Sequence, residues 1–187
     1  MNINQLENQY NQFKQRGKTL DMSRGRPSAS QLDSLSPLLT ELKDNADCFS
    51  ENGIDCRNYG CPDGIPEARR LFASILEVDA DNIIVCGNSS LNLMYDVIST
   101  AYTFGLNGCK PWGKQEKMKF LCPVPGYDRH FAITKLFGFE HINIPMNSDG
   151  PDMDLVKQYV ENDETVKGIW CVPKYSNPTG VTYSAKV

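Results

Sequence analysis

The octapeptide Ile83-Ile84-Val85-Cys86-Gly87-Asn88-Ser89-Ser90 changes from one structural pattern to another. Its first half is a short apolar run, which predicts a buried strand, and its second half opens a helix whose apolar residues recur at helical spacing. Similar apolar runs at 120–122, 142–144 and 168–172 predict three further strands, with helices between them. Apolar strands that alternate with helices are typical of a mostly parallel sheet with helices on both faces. The sequence therefore predicts an α/β fold.

The residues before this octapeptide predict helices and loops. Apolar positions within 3–13 and 32–42 recur at helical spacing, and Pro66 suits the first turn of another helix. We therefore expect residues 1–60 to form an N-terminal helical segment that includes a loop. The first part of a larger α/β domain is expected over residues 61–187.

The composition excludes several classes of protein. With 40% hydrophobic and 22% charged residues among 187, a buried core is expected and a disordered chain is excluded. A net charge of −4 is too mild to indicate nucleic acid or an anionic membrane as a partner. No apolar run approaches the ~20 residues that span a bilayer. The first residues lack the basic and apolar regions of a secretory signal.

The cysteines and histidines do not indicate a metal site. The seven cysteines are irregularly spaced without a Cys-x-x-Cys pair, and the two histidines, His130 and His141, lie eleven positions apart. We therefore expect no metal ion. We interpret the cysteines as reduced thiols and expect a cytoplasmic protein.

Polar and aromatic residues follow the predicted strands, at the edge of a parallel sheet where ligands bind. Ser89 and Ser90 stand at a helix start whose backbone N–H groups suit a phosphate, although a serine there also serves as an ordinary N-cap. Tyr127 can stack on a planar cofactor or pack in the core. Asn177, biased to an extended backbone by Pro178, can donate its amide to a ring oxygen or act as a turn residue.

Five short motifs in order along the chain carry a family resemblance. They are Asn58-Tyr-Gly60, Gly64-Ile-Pro-Glu-Ala-Arg69, Gly87-Asn-Ser-Ser90, Pro125-Gly-Tyr127 and Asn177-Pro-Thr-Gly180. This set resembles the class I/II aminotransferases of fold type I, which depend on pyridoxal phosphate. Within them it is similar to a bacterial group of aspartate and alanine–glyoxylate aminotransferase-like proteins. The resemblance implies transfer of an amino group from an amino acid to a 2-oxo acid.

The resemblance also implies roles for particular residues. Ser89 and Ser90 would hold the cofactor phosphate, mainly through backbone N–H groups. Tyr127 would stack on the pyridine ring. Asn177 would hydrogen-bond the phenolic oxygen of the ring and face the substrate.

Two further positions concern the substrate side and the neighbouring subunit. Tyr59 matches the family's tyrosine that reaches the phosphate bound to the partner subunit, so the resemblance implies a homodimer. Gly25 matches a small residue of the substrate-side loop.

Family members are considerably longer, and three of their functional groups have no counterpart that we can assign here. These are the Asp that pairs with the pyridine nitrogen, the Lys that forms the Schiff base and the Arg that binds the substrate carboxylate. We therefore name no catalytic residue and interpret the chain as the N-terminal half of an aminotransferase, inactive on its own. The alternative is a non-catalytic fragment that binds phosphate or the cofactor and requires a partner half. A serine hydrolase built on Ser89 is disfavoured, because Leu91 replaces the glycine that its tight turn needs.

Overall fold

The computed structural model of the protein describes residues 2–19 and 25–187. The helices are α1 (Ile3–Gln15), α2 (Ala29–Asp33), α3 (Pro66–Leu76), α4 (Ser90–Thr103), α5 (Asp128–Leu136) and α6 (Met153–Asn162). The strands are β1 (Lys119–Val124), β2 (Glu140–Asn147), β3 (Gly150–Pro151) and β4 (Val166–Ile169). Within these described residues, none of the helices has the length and apolar character needed to cross a bilayer.

The N-terminal helices follow the local sequence, with one difference from the prediction. Helix α1 starts at a capping box in which Asn2 and Gln5 satisfy each other's backbone N–H groups. The predicted continuous helix over 32–42 is wrong, because α2 is short and a separate 3-10 helix covers Ser36–Thr40. Pro37 lies in the first turn of that 3-10 helix, and its missing N–H would interrupt an α-helix passing through it.

The sheet has four strands in the order β3-β2-β1-β4. Strand β1 pairs in parallel with both β2 and β4, whereas the short β3 pairs antiparallel with β2. The mostly parallel α/β architecture is thus confirmed. The last strand lies slightly earlier in the chain than the predicted 168–172. Because β1, β2 and β4 are parallel, their carboxyl ends meet at one edge of the sheet.

Helices cover both faces of the sheet, as the apolar strands predict. Successive residues of β1 face opposite sides, since side chains alternate along a strand. Phe120 belongs to a buried cluster with Ile98 of α4, against which α5 also packs. Leu121 belongs to a second cluster with Ile144 of β2 and Val156 of α6. The two clusters fix α4 and α5 on one face and α6 on the other.

The predicted strand over 83–86 is wrong. Ile83 is extended and buried, yet the segment forms no ladder within the part of the chain that the structure describes. Its backbone is tied instead by a hydrogen bond from the Val85 N–H to the Asp63 carbonyl, 3.0 Å long. The Arg69 guanidinium also donates to the Ile83 carbonyl at 3.1 Å. Both edges of β1 are already occupied by β2 and β4, so this segment finds no free neighbour there.

Candidate active site

A narrow cleft lies at the edge of the sheet where β1 and β4 end. Its free volume is about 10 Å³, roughly the space of one water molecule. Tyr127 and Asn177, which follow two different strands in the sequence, both line it. The other aromatic lining residues are His130, Phe131, Trp170 and Tyr183. The fold therefore brings together two of the predicted site residues.

Tyr127 is held from one side by a buried histidine. It is the N-cap residue of α5, and its ring lies 5.0 Å from the His130 ring at an angle of 87°. His130 in turn tilts against the indole of Trp170 at 5.6 Å. Burial lowers the pKa of His130 below its usual value of 6.5, so its imidazole is neutral at pH 7. The imidazole thus packs against Tyr127 without placing a charge in the cleft.

Trp170 is anchored by a hydrogen-bond network beneath the cleft. Its indole N–H donates to the hydroxyl of Thr134, 3.2 Å away, and that side chain is fully buried. The same hydroxyl lies 2.9 Å from Nε2 of His141 and 3.2 Å from the Phe131 carbonyl. One hydroxyl can donate one hydrogen and accept two, so it can satisfy all three partners. Thr134 therefore ties α5 to β2 and to the residue that follows β4.

Gly126 allows the chain to turn sharply between β1 and α5. A Cβ atom at this position would lie 2.3 Å from the Pro123 carbonyl oxygen and 2.6 Å from the Phe131 ring. Real Cβ atoms do not approach other atoms so closely, and the first of these neighbours is backbone. The absence of a side chain at Gly126 therefore lets Tyr127 reach the start of α5. The Val124–Pro125 peptide just before this turn is cis.

Asn177 lies in a tight loop after β4. Ser176 is 4% exposed, and its N–H donates to the Val181 carbonyl at 2.9 Å, which closes the loop. The Asn177–Pro178 peptide is cis. The Asn177 side chain is exposed and lines the cleft. Its amide is therefore available to a ligand at the cleft.

Helix α4 begins without a side-chain cap, at the position predicted to bind phosphate. Ser89 is its N-cap residue and accepts no capping hydrogen bond, and the first turn carries no acidic residue. Ser89 and Ser90 are both exposed and do not line the cleft. One turn later, Leu93 borders an apolar groove together with Trp170, which also lines the cleft. The helix start thus lies on the same side of the sheet, and its exposed N–H groups suit an anion.

The remaining two predicted positions lie outside the cleft. Tyr59 is 97% exposed, and its backbone N–H donates to the side-chain oxygen of Asn58 at 2.9 Å. Gly25 is exposed, and a Cβ placed there would meet no atom within 4 Å. Neither residue is brought to Tyr127 or Asn177 within the residues described.

The residues that support this site, His130, Trp170 and Thr134, are not among the predicted site residues. His130 follows Tyr127 by three positions, which places both on one side of a helix start, and this spacing is a usable signal. Trp170 and Thr134 carry no such signal, because they are far apart in sequence and meet only through packing.

The chain is similar to known proteins of one family. The family profile described as Aspartate amino-transferase matches residues 2–187. An aspartate aminotransferase of Corynebacterium glutamicum is 48% identical over 183 residues, which is 97% of this chain and 42% of the relative. The crystal structure of an aspartate transaminase from the same organism superposes with a TM-score of 0.86 at 47% identity, covering 98% of this chain and 43% of that one.

A more distant solved structure shares the fold. The α-aminoadipate aminotransferase LysN of Thermus thermophilus, complexed with N-(5'-phosphopyridoxyl)-L-leucine, has a TM-score of 0.62 at 16% identity. The match covers 87% of the present chain and 37% of the LysN chain. The present chain spans about 40% of the length of the curated relatives that it matches.

Proposed function

Because the chain belongs to the Aspartate amino-transferase family, we propose that it supplies the cofactor-binding part of a pyridoxal-phosphate-dependent aminotransferase. The enzyme would transfer an amino group from an amino acid to a 2-oxo acid. The observation that carries this proposal is that Tyr127 and Asn177 border one cleft at the carboxyl edge of the parallel strands, over whose mouth the cofactor would lie. Ligands of open α/β sheets bind at this edge.

The chemistry of the available groups fits pyridoxal phosphate. The uncapped start of α4 offers backbone N–H groups and the hydroxyls of Ser89 and Ser90 to the phosphate. Tyr127 offers an aromatic ring for stacking, and Asn177 offers an amide N–H to the phenolic oxygen. When bound, the cofactor supplies the electron sink that transamination needs. The side chains described here would bind and orient it.

The packing around the cofactor residues supports their orientation. His130 limits rotation of Tyr127 on one side, and Trp170 is fixed by its hydrogen bond to Thr134. Pre-ordered side chains lose less conformational entropy when a ligand binds. The proposed residues would therefore act as a rigid floor beneath the cofactor.

The rest of the active site would come from polypeptide beyond the matched 40% of the relatives' length. Strand β4 pairs with β1 on one edge, and its other edge has no partner strand among the described residues. Beside it lies an apolar groove of about 340 Å³ that Val97, Trp112 and Trp170 help to line. We propose that this additional chain covers the edge and the groove. It would bring the Schiff-base lysine, the aspartate at the pyridine nitrogen and the arginine for the substrate carboxylate.

We also propose a homodimer with shared active sites and a cytoplasmic location. The nearly complete exposure of Tyr59 is compatible with a role at the phosphate of a neighbouring subunit. Gly25 would lie in the loop on the substrate side, next to Asn177 in the assembled enzyme. The location rests on the seven cysteines, all of which are free thiols in this structure.

The second candidate is a non-catalytic fragment that binds phosphate or the cofactor and requires a partner half. The unpartnered edge of β4 and the exposed apolar groove favour it, because such surfaces promote association. In that case the isolated chain would bind the cofactor without transferring amino groups.

The test compares the 187-residue chain with the product of the complete reading frame that contains it. Each is incubated with pyridoxal phosphate, dialysed, and examined for bound phosphate, visible absorbance and amino transfer across a panel of amino acids. We expect the longer protein to retain the cofactor and transfer amino groups, and the 187-residue chain to do neither. Failure of the longer protein to bind the cofactor would overturn the proposal. Cofactor retention by the short chain without amino transfer would favour the second candidate.

Variants of the longer protein test the individual roles. Asn177→Ala should weaken cofactor binding by about 1–3 kcal/mol, the usual cost of removing a buried hydrogen bond to a polar or charged partner. Asn162→Ala is the matched control, because this asparagine lies at the end of α6 and bonds only its own helix. Tyr127→Ala should also weaken binding, through loss of stacking. If Asn177→Ala binds as the control does, Asn177 is a turn residue only.

A further inference from the structure

We propose that Cys48 and Cys56 form a reversible disulfide when the protein meets a low-molecular-weight disulfide such as oxidised glutathione. The two cysteines flank a short hairpin in the N-terminal segment, whose Phe49 and Asp55 form an antiparallel bridge. The proposal concerns this hairpin alone and does not depend on the proposed aminotransferase activity.

The backbone places the two cysteines opposite each other. The Cys56 N–H donates to the Cys48 carbonyl at 2.9 Å, one position outside the bridge. This hydrogen bond joins Cys56 to the last residue of the 3-10 helix Ala46–Cys48 and keeps the two backbones adjacent. Disulfides span Cα separations of about 4.4–6.8 Å. Residues joined by a direct backbone hydrogen bond lie at about this separation, so the disulfide bond can form once both side chains rotate.

The turn between the cysteines is held in place by its own contacts. Ser50 is buried, and its hydroxyl accepts the Ile54 N–H at 3.0 Å. Its carbonyl accepts the Gly53 N–H at 2.8 Å, and Gly53 has a φ of +80°. Glu51 pairs with Arg70 of helix α3, which fastens the hairpin to the neighbouring helix. The fold thus keeps the two thiols within reach of each other.

The surroundings suit a two-step exchange. Cys56 is exposed and borders an open surface cleft together with Tyr59, so an external disulfide can reach it. Cys48 is half-buried, and the neighbouring Arg57 pairs with Asp55. The sulfur atoms now make only long contacts, 3.7 Å to the Asp44 carbonyl and 3.6 Å to the Ile54 carbonyl.

The reaction balances as two thiol–disulfide exchanges. The Cys56 thiolate attacks one sulfur of oxidised glutathione, forming a mixed disulfide and releasing one glutathione thiolate, which takes up the proton that Cys56 lost. The Cys48 thiolate then attacks the Cys56 sulfur and releases the second glutathione, which takes up the second proton. The two cysteines lose two electrons in total, and the glutathione disulfide gains them. The product is a nine-residue ring over 48–56.

The test uses the folded 187-residue chain with oxidised glutathione, followed by alkylation, trypsin digestion and mass spectrometry. Trypsin releases residues 44–57 as one peptide that contains both cysteines and no other. We expect this peptide to be two hydrogens lighter and to resist alkylation, and dithiothreitol to restore both sites. A peptide that remains alkylated at both cysteines, carries glutathione on both, or is linked to the Cys61 peptide would overturn the proposal.

Single variants separate the two steps and test the geometry. Cys48→Ser should trap one glutathione on Cys56, whereas Cys56→Ser should leave Cys48 largely alkylated. Gly53→Val should slow closure, because a β-branched residue is strained at positive φ. Gly108→Val is the matched control, since Gly108 also has positive φ and open space around it but lies far along the chain. Equal closure rates for these two variants, or for wild type with and without urea, would refute a role for the folded hairpin.

Discussion

Replacement of Thr134 by valine tests whether the network beneath the cleft stabilises the fold. Valine has nearly the same shape as threonine but lacks the hydroxyl. The substitution leaves the Trp170 N–H and the His141 ring nitrogen without their partner in the partly buried space between α5 and β2. Each lost partner costs about 1–2 kcal/mol where water has limited access. The added methyl group contributes up to about 0.8 kcal/mol in the opposite direction.

We therefore expect Thr134→Val to lower the free energy of unfolding by about 1–3 kcal/mol. Urea unfolding at low protein concentration measures it, with fluorescence of the two tryptophans, Trp112 and Trp170, as the signal. With an m-value of about 2 kcal/mol per molar urea, the midpoint should fall by about 0.5–1.5 M. The native emission should also change, because the Trp170 indole loses its hydrogen bond.

Two variants complete this experiment. Thr134→Ser keeps the hydroxyl and should preserve the native emission of Trp170. Thr40→Val removes an exposed hydroxyl that bonds only the Pro37 carbonyl, and it should change stability by less than about 0.5 kcal/mol. If Thr134→Val unfolds at the wild-type midpoint with unchanged emission, the hydrogen bonds of Thr134 do not hold Trp170 in place.

Three further outcomes are expected. Gly126→Ala should destabilise the chain and weaken the near-ultraviolet circular dichroism of its aromatic residues, because the new Cβ would lie 2.3 Å from a backbone oxygen. An unchanged spectrum and an unchanged urea midpoint would contradict this. Asp163→Asn should reduce stability at pH 7, because the Lys119 side chain lowers the pKa of Asp163 from 3.8 to about 2. This contribution to stability is present above the unfolded pKa and is lost as the pH falls through about 2, so the stabilities of the wild type and the variant should converge in acid. Glu161→Gln, which removes one partner of an exposed ion pair, should change stability little. The purified 187-residue chain should self-associate on size-exclusion chromatography, because it exposes an apolar groove and, among the described residues, an unpaired edge of β4. Elution as a monomer at all protein concentrations would refute this.

The sequence predicted the α/β class because its period and composition are local properties. The apolar runs that became β1, β2 and β4 each carry enough hydrophobic residues to indicate a buried strand without knowledge of their neighbours. The prediction failed for 83–86, since a strand needs a backbone partner and an apolar run does not reveal whether one is free. It failed for 32–42 because the leucine spacing indicates a helix, whereas Pro37 lacks the N–H that a continuous α-helix needs there.

The candidate site was likewise predicted only in part from the sequence. Tyr127 and Asn177 were candidates because each follows an apolar run whose carboxyl end meets the same edge of a parallel sheet, and the family resemblance implied their roles. Their common cleft, the edge-on contact with His130 and the anchoring of Trp170 by Thr134 arise only in three dimensions. The cleft brings together residues 127 and 177, the hydrogen bond joins residues 36 positions apart, and the geometry depends on how α5 packs against the sheet. Local sequence thus determined the types of elements and the residues at their ends, while tertiary packing decided which side chains meet, because burial and hydrogen-bond distance are set by several elements at once.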